Sequence, residues 1–165
     1  MVTTKNAGIL LLVLLAVVFA LFRLLPSDEK AIRKQLTVFA QNASKKADEK
    51  PVEGLRKSRR IADLFNDPCR ISVEAVDFTG TFSRQQIMDR ILMVRATFNA
   101  VTVKLHDISI QVSEENSADV RMTLRLSGQR QDHAVADVQE ISATLEKIDG
   151  DWLFTSVRVV EVLSR

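Results

Sequence analysis

The stretch Val101-Thr102-Val103-Lys104-Leu105-His106-Asp107-Ile108-Ser109-Ile110-Gln111-Val112 decides the fold. Its apolar residues stand at 101, 103 and 105 and then at 108, 110 and 112, so the period is two but the parity changes midway. Alternation of this kind marks a strand with one buried face. A parity change inside it marks a β-bulge, an extra residue that bends the strand. Three further strands are expected over residues 119–127, 133–145 and 152–163, and a second bulge where Ala134, Ala136 and Val138 give way to Ile141, Ala143 and Leu145. The links at 114–116, 128–132 and Asp149-Gly150-Asp151 are short and rich in turn residues, so successive strands should pair as antiparallel hairpins.

Upstream of the strands the period changes to that of helices. Ser27 with Asp28 and Glu29 is a helix start, and Ile32, Leu36, Phe39 and Ala43 form one apolar stripe to about Lys46. Pro51 suits the first turn of a second helix, which carries Val52, Leu55, Ala62, Leu64 and Phe65 inward, keeps Arg56, Lys57, Arg59 and Arg60 outside, and stops at Pro68. Residues 71–76 alternate as a short strand, Gly80 marks a turn, and Ser83 with Gln86 is a capping box opening a third helix with Ile87, Ile91, Val94 and Phe98 inside.

Residues 1–26 are read separately. Gly8 to Phe22, including Leu12, Leu15 and Phe19, is an unbroken apolar run, and Leu24 and Leu25 extend it to Pro26, about 18 residues and near the length that spans a hydrocarbon core. A single-pass signal anchor is expected, bringing membrane lipid as a partner and leaving 27–165 as one domain. The competing reading is a signal peptide cleaved near Val18-Phe19-Ala20, which would release a secreted domain. Position near the N-terminus favours a domain on the non-cytoplasmic side. Arg23, Lys30, Arg33 and Lys34 oppose it, since basic flanks stay cytoplasmic.

Charge is unevenly spread: residues 26–66 hold 10 basic and 6 acidic side chains, whereas 67–165 hold 11 and 15. The basic section adjoins the apolar run and could touch anionic headgroups. No nucleic-acid surface is expected. Cys69 is the single cysteine, which excludes an intrachain disulfide and reads as a buried structural residue.

Three helices with a short strand between the second and third, then four long bulged strands, resemble the nuclear transport factor 2-like superfamily, the cone-shaped fold shared with ketosteroid isomerase. The residues that carry the resemblance are Ser83-Arg84-Gln85-Gln86-Ile87 and the terminal Asp149-Gly150-Asp151-Trp152-Leu153-Phe154. It implies an α+β domain of three N-terminal helices packed on a curved antiparallel sheet, with a pocket at the wide end of the cone. A cystatin-like or other helix-plus-meander fold is the competitor.

Function must then come from side chains, because this fold hosts isomerases, dehydratases and plain binding modules. His106 and His133 have no further ligand at metal-site spacing, so neither metal nor cofactor is expected. Isomerase-type chemistry needs a carboxylate in an apolar pocket and an oxyanion donor, and the chain contains no Tyr. The carboxylates in play are Asp107, Asp137 and Glu161 on strands, with His106 or Arg158 as partners. Asp107 and Asp137 lie near the two parity changes, where a bulge can turn a side chain inward. The last strand is apolar on both parities, which suggests cover on both faces: Trp152, Phe154, Val160 and Val162 are candidate contacts of a homodimer or an unidentified protein partner. The balance favours a non-catalytic binding or assembly module at a membrane, with an isomerase- or dehydratase-type enzyme on a small apolar substrate as the alternative.

Overall fold

The computed structural model describes residues 27–113, 115–131 and 133–160. Ser27 accepts the Lys30 amide and caps helix α1 (Asp28–Ala43), whose Ile32 and Leu36 are fully buried. Helix α2 (Pro51–Ala62) opens on Pro51, where the missing amide hydrogen costs nothing. Helix α3 (Arg84–Ala96) opens on the expected capping box, Ser83 Oγ accepting from the Gln86 amide and Gln86 Oε1 from the Ser83 amide.

Six strands form one sheet in the order β2-β1-β6-β5-β4-β3: β1 (Phe65–Val73), β2 (Phe78–Phe82), β3 (Ala100–Val112), β4 (Ser117–Arg130), β5 (His133–Ile148) and β6 (Asp151–Val160). The architecture is therefore the expected α+β cone, three helices against a curved sheet. Two details differ from expectation. The segment with Leu64 and Phe65 leaves α2 and enters β1, and the Gly80 turn lies within β2, paired antiparallel with β1. The sheet is also mixed, because β1 lies parallel to β6 while β3 to β6 form the expected meander.

The bulges set which residues face the helices. On β3 the register against β4 shifts between His106 and Ser109, with Asp107 at φ 51°, so Val101, Val103 and Leu105 and then Ile108 and Ile110 all turn inward. The second expected bulge is absent: β5 pairs with β4 without a break from Glu146 to His133. Ala134, Ala136 and Val138 simply face outward, Val138 being 44% exposed, and Val135 takes the inward position. The second bulge lies instead on β6. Leu145 pairs with Phe154 but Thr144 with Ser156, so Thr155 is the extra residue.

This bulge accounts for the two-sided look of the last strand. Trp152 and Phe154 before it, and Val157 and Val159 after it, all pack on the same core. Trp152 and Phe154 are thus buried interior residues and not contacts for a partner, while Val160 is half-buried on the opposite face. Val162, Glu161 and the whole expected membrane segment, Gly8 to Leu25, lie outside the described residues. Among the described residues no helix is long and apolar enough to cross a membrane.

Two helices present different faces from those expected. In α2 the buried residues are Ser58, Ile61 and Ala62, leaving Val52 and Leu55 exposed. In α3 the inward position in the last turn is Arg95 and not Val94, which is exposed.

Candidate active site

Two apolar cavities lie between the helices and the inward face of the sheet. The inner one, about 210 Å³, is lined by Phe39 of α1, Phe65 of β1, Met122 and Leu124 of β4, Ile141 of β5, and Phe154, Val157 and Val159 of β6. Phe65 and Phe154 form one wall, their ring centroids 5.2 Å apart. The second cavity, about 250 Å³, opens between α1, α3 and the β3–β4 pair, against Phe98, Val101, Val103 and Leu126. Phe39 lines both and so stands between them.

A buried polar cluster closes the far end of the second cavity. Arg95, 6% exposed, donates to the carbonyls of Asn42 (2.6 Å) and Ala43 (2.8 Å) at the end of α1, and to the Glu49 carboxylate. Glu49 also accepts from Lys57 Nζ at 2.7 Å. Burial pushes the Glu49 carboxyl pKa up, but the hydrogen bonds and charges of Lys57 and Arg95 outweigh it and hold the carboxyl below its ordinary value. Lys45 Nζ donates to the Phe98 carbonyl (2.6 Å) and the Arg95 carbonyl (3.2 Å) at the end of α3. Both helix C-termini thus meet a cation, the favourable sign for the helix dipole. The sequence gives little sign of this cluster, since Arg95 reads as a surface residue until the helix phase is known.

The carboxylate that the register places on the same face of the sheet as the cavities is Asp137. It pairs with Leu126, which lines the second cavity, and its neighbour Gln139 pairs with Leu124, which lines the inner one. Paired residues of an antiparallel ladder share a face, so Asp137 and Gln139 stand on the concave side with Val135 and Ile141. Asp137 gets there by plain alternation on an unbulged strand. Its Oδ1 accepts from the Val138 amide (2.9 Å) and its two oxygens from Gln139 Nε2 (3.1 and 3.2 Å), and it is exposed, beside the cavities and not among their lining residues.

The other sequence candidates do not join it. The β3 bulge turns Asp107 outward, where Thr123 Oγ1 donates to it at 3.4 Å. There Asp107 and Arg158 share a shallow polar cleft of about 520 Å³ with Glu74, Arg121 and Glu140 on the outer face of the sheet. His106, opposite Thr123, is exposed on that side as well. This is the bigger concavity, but its lining carries polar groups and charges of both signs, whereas the apolar lining that suits a small hydrocarbon skeleton is found on the other face. Among the described residues no group of three His, Cys, Asp or Glu side chains could hold a metal ion.

No family model matches the sequence, and no curated protein matches it. Solved structures do match its fold. A protein of Novosphingobium aromaticivorans provisionally assigned as a scytalone dehydratase superposes with a TM-score of 0.66 at 17% identity, over 82% of this chain and 85% of that one. A second protein of that organism, described as NTF2-like with a cystatin-like fold, gives 0.66 at 14% identity over 100% and 94%. LinA-type3, a hexachlorocyclohexane dehydrochlorinase of Novosphingobium barchaimii, gives 0.65 at 14% identity over 81% and 86%.

The described domain therefore has the nuclear transport factor 2-like fold. At these identities the likeness establishes fold alone. It nevertheless corrects the expectation of a non-catalytic module, because the neighbours bearing this fold include a dehydrochlorinase and a protein assigned as a dehydratase.

Proposed function

We propose that the domain is an enzyme of the isomerase or dehydratase type, acting on a small apolar substrate held in the cone. The observation that carries this reading is an apolar concave interior with one oriented carboxylate, Asp137, on the same face of the sheet, directly across the ladder from the cavity residue Leu126. The aliphatic and aromatic lining would bind the carbon skeleton, and the small volumes limit it to one or two rings. Asp137 would take a proton from a substrate carbon, and the electron pair of that C–H bond would form a C=C bond. In an elimination, a halide on the adjacent carbon leaves with its own bonding pair, or a hydroxyl there takes up the proton gained by Asp137 and leaves as water with that pair. Gln139 holds the carboxylate through both oxygens, so its part is positioning. No tyrosine exists to donate to a developing oxyanion, which favours an elimination over a reaction through an enolate.

The test is turnover of a panel of small cyclic alcohols and cyclic halides, followed by gas chromatography of the alkene and, for halides, by halide release. Asp137→Asn is expected to lower kcat by at least about a hundredfold, as loss of a general base does, and Asp107→Asn to leave it unchanged. Leu126→Trp should raise KM by filling the cavity. Equal loss in both Asp variants, or full activity in Asp137→Asn, would overturn the assignment.

A further inference from the structure

The exposed face of α2 has no partner in the fold and has a composite chemistry. Val52 (79% exposed) and Leu55 occupy its first turns, and Arg56, Arg59 and Arg60 follow at helical spacing on the same side. Lys57 turns away from this face and is engaged with Glu49 and Glu53. Among the described residues the three arginine side chains make no ion pair and no hydrogen bond, although the rest of the chain supplies acidic groups in quantity.

The position of this face matters. Ala31 and Lys34, near the start of α1, share a groove with Asp63 and Leu64 just past the end of α2, so the two helices run antiparallel and the arginine end of α2 lies beside the start of α1. The apolar run from Gly8 to Leu25 ends two residues before α1 begins at Asp28. Whatever that run inserts into is therefore held next to Arg59 and Arg60.

We propose that the α2 face docks on the anionic headgroups of the bilayer that holds the N-terminal run, with Val52 and Leu55 dipping into the interface and Arg56, Arg59 and Arg60 facing phosphate. Two aliphatic side chains beside three unpaired guanidinium groups fit a surface that is apolar below and anionic above. An exposed apolar pair has no comparable fit on a purely polar polyanion. Tethering supplies the rest, because an anchored domain meets the headgroups at high effective concentration and needs only a weak second contact. Docking would also hold the cone at a fixed tilt to the membrane, within reach of apolar molecules dissolved in it.

The full chain, reconstituted in phosphatidylcholine vesicles with or without 30% phosphatidylglycerol, tests this. A polarity-sensitive fluorophore on Leu55→Cys reports the face, and Cys69 does not compete for label because burial pushes its thiol pKa up to about 11. The probe emission is expected to shift to the blue only with phosphatidylglycerol and to return at high salt while the chain stays with the vesicles. Each arginine near such a surface changes the docked-to-undocked ratio about fivefold, so Arg56→Gln/Arg59→Gln/Arg60→Gln should lower it about a hundredfold. Identical emission in both lipids overturns the proposal. So does a shift retained by the triple variant with its circular dichroism unchanged, or an equal shift produced by polyglutamate or an oligonucleotide without vesicles. A chain that fails to float with either vesicle removes the tether and overturns it too.

Discussion

On β6, Val159 packs with the helices and the core, while Val160, one residue on, lies among Glu74, Arg121, Glu140 and Arg158 on the outer face. The same contrast runs across the sheet. Inward positions of β4 read Val120, Met122, Leu124 and Leu126, and outward ones Asp119, Arg121, Thr123 and Arg125. Two bulges, at Asp107 and Thr155, keep the large apolar residues on one side where the sequence changes parity. The lesson concerns polar groups: on the outer face they are numerous and solvated, whereas on the side of the helices they are few, and the buried one, Arg95 of α3, is tied into a closed hydrogen-bonded cluster.

The sharpest test of that difference exchanges one arginine on each face for leucine. Arg95→Leu strands the buried Glu49 carboxylate beside Lys57 alone and frees the carbonyls at the end of α1, so a loss of about 3–5 kcal/mol is expected by urea denaturation. Arg158→Leu removes only an exposed, 4.0 Å contact with Glu74 and should cost less than about 0.5 kcal/mol. Similar losses in the two variants would break the comparison.

A charge on the inner wall comes next. Val159→Asp puts a carboxylate against the apolar cavity with no donor among its lining residues, and a loss of about 2 kcal/mol or more is expected from the same denaturation curves.

The sequence carried much of this. Strand alternation and the Ser83 capping box are local signals, and the bulge on β3 is written in Leu105 and Ile108, two large apolar residues three positions apart where strict alternation would keep one face at even spacing. The bulge on β6 was hidden. Leu153 and Val160 blur its parity, and the strand reads as apolar on both sides until Thr155 is seen to be the extra residue. On β5 the small residues Ala134 and Ala136 read as core by alternation, although small side chains are tolerated on an exposed face, and on that reading a bulge is needed to turn Asp137 inward. Strand β5 has no such bulge, and Asp137 reaches the concave face by plain alternation. The phase of α2 is hard to read because its apolar residues Val52, Leu55 and Ile61 do not share one face, and the buried stripe is made of Ser58, Ile61 and Ala62. The pairing of β1 with β6 is non-local and parallel, and no local pattern announces it.

Acid titration sharpens the buried cluster further. Glu49 has its folded pKa below the ordinary value near 4.5, so its contribution is complete above that value and is lost as pH falls through the lowered folded value. Asp28, lowered by hydrogen bonds from Lys147 and Trp152 and by the Lys147 charge, acts in the same direction. Thermal midpoints measured from pH 7 to pH 3 should fall less steeply for Glu49→Gln, which starts lower at neutral pH and has no carboxylate left to protonate. A slope equal to that of the wild type would show that Glu49 is not held ionised by Arg95 and Lys57.

The smallest effect is expected at Val160. Its side chain is half-buried on a face where Arg121 and Arg158 offset Glu74 and Glu140, the latter directly across the ladder from it, so Val160→Asp adds a carboxylate whose repulsion from Glu140 is balanced by the two arginines and by water. A change under about 0.5 kcal/mol follows, as for most surface substitutions. The comparison with Val159→Asp is strict because the two positions are adjacent in sequence and differ only in the side of the sheet they face. Light scattering on the same pair reads the outer face independently. Were that face the contact of a homodimer, Val160→Asp would leave the fold intact and halve the mass in solution, since an unpaired charge at a buried interface is costly. An unchanged mass together with an unchanged denaturation midpoint places the outer face in water, and a midpoint drop matching that of Val159→Asp would show that β6 carries no bulge at Thr155.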